Sequence, residues 1–127
     1  MEKEKIRMEY VFDNASKNSL WTHIGTSIGL SEWFADEVVD DGKIFTFTWD
    51  GHAINAEMTG INPNVYIRFH WLEDENPNSY FEFRLHKNEL TGGLMLEITD
   101  FAEPEEKEAG IILWDKQVKD LKRLLGL

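Results

Sequence analysis

Apolar and polar residues alternate in short runs through most of this chain, and the spacing becomes helical only towards its two ends. From Lys5 to Phe12, the residues Ile6, Met8, Tyr10 and Phe12 share one face while Lys5, Arg7 and Glu9 share the other, which predicts a half-buried first strand. Asp13-Asn14-Ala15-Ser16 follows, and short oxygen-bearing side chains of this kind accept from the free amides of a first helical turn. Leu20, Trp21 and Ile24 make the buried side of a short helix that Gly25 ends. Thr26 or Ser27 caps a second one, with Ile28, Leu30, Trp33 and Phe34 as its apolar positions.

Beyond Asp36 the period is two. Asp-Gly pairs at 41–42 and 50–51 supply the positive φ of tight hairpin turns. Phe45, Phe47 and Trp49 alternate with Thr46 and Thr48, then Ile54, Ala56 and Met58 with Asn55, Glu57 and Thr59. Gly60 and Asn62-Pro63-Asn64 read as a further break. Val65, Ile67, Phe69 and Trp71 oppose Tyr66, Arg68 and His70, and residues 73–79 form an acidic loop. Phe81, Phe83 and Leu85 oppose Tyr80, Glu82 and Arg84. After Thr91-Gly92-Gly93, Leu94, Leu96 and Ile98 oppose Met95, Glu97 and Thr99. Five or six strands joined by short turns make an antiparallel meander with one apolar face.

The chain closes on a helix. Pro104 suits a first helical position, Glu103, Glu105, Glu106 and Glu108 crowd its start, and Lys116, Lys119, Lys122 and Arg123 crowd its end, as the helix dipole favours. Ile111, Trp114, Val118, Leu121 and Leu125 form one stripe, and Gly126 stops it. No linker or repeat interrupts the plan, so residues 1–127 read as a single α+β domain: a strand, two short helices, a curved antiparallel sheet and a long C-terminal helix.

These residues are similar to a known family. The Leu20-Trp21 pair, the Leu30 to Asp36 run, the Gly42 to Trp49 strand, Val65 to Trp71 and the Trp114 to Leu125 helix resemble the START-like, Bet v 1-like superfamily. Within it they look closest to small bacterial homologues of the activators of the heat-shock chaperone ATPase. The resemblance implies a helix-grip fold, the sheet wrapped around the C-terminal helix. It also implies binding of a lipid-like or other small hydrophobic ligand between them, or a protein-interaction role. Against a roomy cavity stand the predicted inward rings Phe45, Phe47, Trp49, Phe69, Trp71, Phe81 and Phe83. Rings of this kind bury on the order of 150–250 Å² each, enough to leave a narrow cavity or none.

Composition narrows the partners. Thirteen basic residues against twenty-four acidic ones give a net charge of -11, which argues against nucleic acid and anionic membrane surfaces. There is no cysteine, hence no disulfide, thiolate chemistry or sulfur-ligated zinc. No apolar run is long enough for a signal peptide or a membrane span, so the expected location is cytoplasmic.

Catalytic and metal chemistry find little support. No two of His23, His52, His70 and His86 stand at a helical i, i+4 metal spacing, and only His52 falls in the inward register. Asp36, Glu37, Asp40 and Asp41 surround a turn without calcium-loop spacing, and Glu73-Asp74-Glu75 reads as a solvated loop. Glu57, Glu82, Glu97, Arg68 and Arg84 point away from the helix, leaving the inner faces of the central strands without a titratable group to act as acid or base. The expectation is a non-enzymatic domain without metal or cofactor. Candidates for lining a ligand cavity are Trp33, Phe34, Trp49, Met58, Phe69, Trp71, Trp114 and Val118. Candidates for an interface with a chaperone or a second copy are Tyr66, His70, Leu72 and Tyr80 on the outer face of the sheet.

Overall fold

The structure is a computed structural model and describes residues 3–127. Strand β1 (Glu4–Phe12) leads into α1 (Lys17–Gly25) and α2 (Ser27–Leu30). Both helices start as the sequence predicts. The Ser16 hydroxyl accepts from the Ser19 amide at 3.1 Å, and the Thr26 hydroxyl accepts from the Gly29 amide at 3.0 Å. The second helix is shorter than expected. It ends at Leu30, and Trp33 and Phe34 lie in the turn beyond it, where the Phe34 amide bonds back to the Leu30 carbonyl.

Six further strands follow: β2 (Glu37–Asp40), β3 (Ile44–Trp49), β4 (His52–Asn62), β5 (Tyr66–Trp71), β6 (Phe81–Lys87) and β7 (Leu94–Ala102). They pair antiparallel in the order β1-β7-β6-β5-β4-β3-β2, so β1 returns to close against the last strand and β2 forms the far edge. Seven strands are present rather than five or six, because the short β2 pairs with β3 ahead of the Gly42 turn. Asp50 and Gly51 both have positive φ, 49° and 80°, which makes the β3–β4 connection the tight hairpin expected of Asp-Gly. The break read at Gly60 is instead a bulge. Strand β4 continues to Asn62, its register slipping by one residue between Met58 and Gly60. Gly60 belongs there because the Tyr66 hydroxyl lies 3.0 Å from where a β-carbon would stand.

Pro104–Glu106 is a 3-10 turn that feeds α3 (Lys107–Leu124). Trp114, Val118 and Leu121 of α3 are buried against the inner face of the sheet, beside Ile6, Met8, Phe83, Leu96 and Ile98. This is the helix-grip arrangement. Alternation along the strands sends those residues to the helix side, and α3 supplies the complementary stripe.

Candidate functional site

The space between sheet and helix is filled with rings. Phe34 is their hub: it stacks on Trp114 at 5.4 Å between centroids and meets Phe47 and Trp49 edge-on at 5.3 Å each. Trp33 adds an edge contact to Phe83, while Phe69, Phe81 and Trp71 continue the cluster across β5 and β6. Of the eight cavity candidates, Trp33, Phe34, Phe69, Trp114 and Val118 are buried, and Trp49, Met58 and Trp71 are half-buried against the same core.

Three of the eight reach an opening. Trp33, Phe34 and Trp49 form one wall of an open cleft of about 740 Å³, faced across the gap by Leu113, Gln117 and Leu124 of α3. The cleft's mouth carries charges of both signs, from Glu32, Asp36, Lys116, Asp120 and Arg123. One backbone atom ties its two walls. The Phe34 carbonyl oxygen accepts from Trp49 Nε1 at 2.9 Å and from Gln117 Nε2 at 3.0 Å, linking the turn, β3 and α3. A carbonyl has two lone pairs, so it can hold both donors at once. Met58, Phe69, Trp71, Trp114 and Val118 lie off this cleft, behind its floor.

One carboxylate breaks the apolar inner face, contrary to expectation. Asp100 pairs with Ile6 across β7 and β1, so it points towards the helix, where its Oδ2 accepts from Trp114 Nε1 at 2.9 Å. Burial pushes its carboxyl above the ordinary range, and the bonds from the Trp114 indole and the Phe101 amide only partly oppose this. No other titratable side chain shares a hydrogen bond with it among the described residues. It therefore orients the indole. The signal was available: continuing the alternation two residues past Ile98 puts Asp100 inward.

The outer face is less open than its aromatic residues suggested. The Arg68 guanidinium lies 3.9 Å from the Tyr80 ring centre, and the Arg84 guanidinium 4.4 Å from that of Tyr66. Between them Glu82, 4% exposed, takes hydrogen bonds from both arginines. Tyr66, His70 and Tyr80 are half-buried under this layer, and among the four interface candidates only Leu72 is exposed. His52 stands exposed at the hairpin tip opposite Trp49. His23 bonds to the Ser19 carbonyl and Glu32, and His86 to Glu97. Among the described residues no group of three or more His, Asp or Glu is placed to hold a metal ion.

A family model for a START-like superfamily domain matches residues 1–127. The chain belongs to the START-like superfamily. Solved structures are similar to this START-like chain. BfR322 from Bacteroides fragilis is 49% identical, the match covering 98% of this chain and 92% of that one, with a TM-score of 0.68. The Aha1 dimer from Colwellia psychrerythraea is 18% identical over 96% of each chain, with a TM-score of 0.77. Protein MLL2253 from Mesorhizobium loti is 19% identical over 97% of each, with a TM-score of 0.76. The last two likenesses speak to the fold. Among curated proteins none matches. No helix of the described residues is long and apolar enough to cross a membrane. A START-like domain of this kind is a scaffold for binding or interaction.

Proposed function

We propose that this START-like domain is a non-enzymatic binding module for a small apolar or lipid-like molecule, taken up where the sheet meets the C-terminal helix. The carrying observation is that Phe34 belongs to both regions: it floors the open cleft and stacks on Trp114 inside the ring cluster. A ligand in the cleft touches Trp33, Trp49, Leu113 and Leu124 first, and displacing the Phe34 ring leads it on towards Trp114 and Val118. Ligand sites favour apolar concavities with a few polar groups, and the Gln117 amide, which lines the cleft and keeps its oxygen and a second N–H beyond the bond to Phe34, is such a group. Native mass spectrometry after mild purification, followed by thermal shifts with a fatty-acid and sterol panel, tests the reading. A bound mass or a raised Tm is expected, and Leu113→Glu, at a position 57% exposed and so harmless to the fold, abolishes it. A protein that carries no bound molecule and whose Tm no panel member raises overturns the reading.

The second reading is an interaction module, with a chaperone or a second copy as partner and a filled core. It is favoured by the ring contacts between sheet and helix and by the dimeric state named for the Colwellia psychrerythraea relative. Its surface would be Tyr66, His70, Leu72 and Tyr80. Light scattering across concentration separates the two. A dimer that Tyr66→Glu or Leu72→Glu dissociates supports the module, and a strictly monomeric wild type removes the homodimer.

A further inference from the structure

On the side of the sheet facing away from α3, the bulge of β4 and the loop before β6 enclose a recess of about 410 Å³. It lies between Thr59 at the bulge, the outward side chains of Arg68 and His70, and a wall running from Pro77 to Tyr80. Twenty-four acids are spread over this chain, yet the lining of the recess holds an arginine and a histidine and no carboxylate. The acids nearby already hold cations: Glu82 lies beneath Arg68 and Arg84, Asp74 holds Lys3 at 3.0 Å, and Glu57 holds Lys43 at 3.5 Å. Glu73 and Glu75 are exposed on the far part of the loop.

The recess is braced from behind. Arg68 is fixed on two sides, its ring-like plane against Tyr80 and its Nε and Nη2 on one oxygen of Glu82 at 2.9 Å each. That leaves Nη1 and its two hydrogens unspent on Glu82. His70 Nδ1 lies 2.9 Å from the Ser79 carbonyl oxygen, an acceptor only, so Nδ1 carries the proton and Nε2 has no protein partner among the described residues. The wall is anchored by Asp74, which accepts from the Ser79 hydroxyl at 2.6 Å and the Asn76 amide at 3.0 Å. Groups held this way lose little freedom when a ligand arrives, which is what preorganisation contributes to affinity.

We infer that this recess is a second binding site, independent of the cleft beside Phe34, for the oxyanion end of a small organic acid: a carboxylate or a phosphate monoester seated between Arg68 and His70. The arginine supplies the remaining fork donors that suit either group, and His70 joins it through a proton on Nε2 brought by the ligand or by solvent, because with Nδ1–H on Ser79 a neutral ring presents only a lone pair there. Asn78 and Thr59 add polar contacts at the rim. The inference does not rest on the proposed apolar ligand, and the two sites lie on opposite faces of the sheet.

The test is NMR titration of the labelled protein with phosphate, phenyl phosphate, acetate and benzoate, each against sodium chloride at matched ionic strength. Saturable shifts are expected at Thr59, His70, Asn78 and Tyr80. Response to the phosphates alone assigns a phosphate ester, response to the carboxylates alone a carboxylate, and response to both the shared oxyanion chemistry. Asn78→Asp puts a like charge at the exposed rim without touching the bracing, and should weaken binding about tenfold or more. Arg68→Lys keeps the charge facing Glu82 but loses the fork, and should also weaken it. Shifts no larger than those of sodium chloride, or full affinity in Asn78→Asp, would overturn the inference.

Discussion

Asp100 and Gly29 show how much a single residue decides here. An acid raised by burial is a cost at neutral pH, and the sign follows from linkage. As pH rises past the ordinary carboxyl value of 3.8, the unfolded chain releases its proton while folded Asp100 keeps its own until a higher pH. Stability is therefore fullest below the ordinary value and declines across the interval up to the raised one. Asp100→Asn removes that decline, and its amide oxygen can still accept from Trp114 while the local bond from the Phe101 amide is given up. The variant should melt higher than wild type at pH 7, with the advantage gone below the ordinary carboxyl range. Thermal unfolding of both proteins across pH checks this, and a variant less stable than wild type at neutral pH contradicts it. Gly29 acts through space rather than charge. A β-carbon there would stand 2.0 Å from the Thr22 carbonyl oxygen and 2.5 Å from His23 Cα, both backbone atoms that cannot step aside. Gly29→Ala should therefore cost at least about 1–3 kcal/mol, the usual range for overpacking, read from urea unfolding at unchanged m-value.

At the scale of elements, alternation is a strong signal because one buried face leaves strand register little freedom. Phe45 and Phe47, Phe81 and Phe83, Leu96 and Ile98 all fall inward as their spacing requires. The misreadings occur where tertiary contact replaces local pattern. Trp33 and Phe34 sit at helical spacing from Leu30 but leave the helix, because Trp33 Nε1 donates to the His23 carbonyl at 2.7 Å and Phe34 is drawn into the ring cluster. Gly60 looks like a break and is a bulge, since its purpose is to admit the Tyr66 ring. The layer over Tyr66 and Tyr80 could not be read either, as arginine stacking depends on neighbours from different strands. The cleft was legible only in part: Trp33, Phe34 and Trp49 follow from their aromatic character, whereas Leu113, Gln117 and Leu124 belong to the solvent side of the α3 stripe. For α3 itself the expectation is direct. Trp114 is 6% exposed and carries the stack on Phe34, so Trp114→Ala should cost about 3–5 kcal/mol, against a few tenths for the exposed Ile112→Ala. Equal effects at the two positions would mean that the helix does not grip the sheet through this stripe.

For the molecule as a whole, the question is how a filled interior admits anything. Dense cores do not deform continuously, so uptake between sheet and helix requires a discrete opening. The bonds that must yield are those on the Phe34 carbonyl, because they join the turn after α2 to both β3 and α3. Each is worth on the order of 0.5–1.5 kcal/mol, and water at the cleft can replace a lost donor. Trp49→Phe combined with Gln117→Ala should thus lower stability only modestly while raising the frequency of local opening. The reporter is the Trp114 indole proton, which is bonded to Asp100 behind the cluster and exchanges with solvent only when the cluster parts. Exchange of that proton should quicken in the double variant by more than the loss of global stability explains, and apolar ligand uptake should quicken with it. Exchange that simply follows global stability would mean that the carbonyl is not a latch. In that case the ring cluster opens only when the domain unfolds, and the balance shifts towards a module that works from its surface.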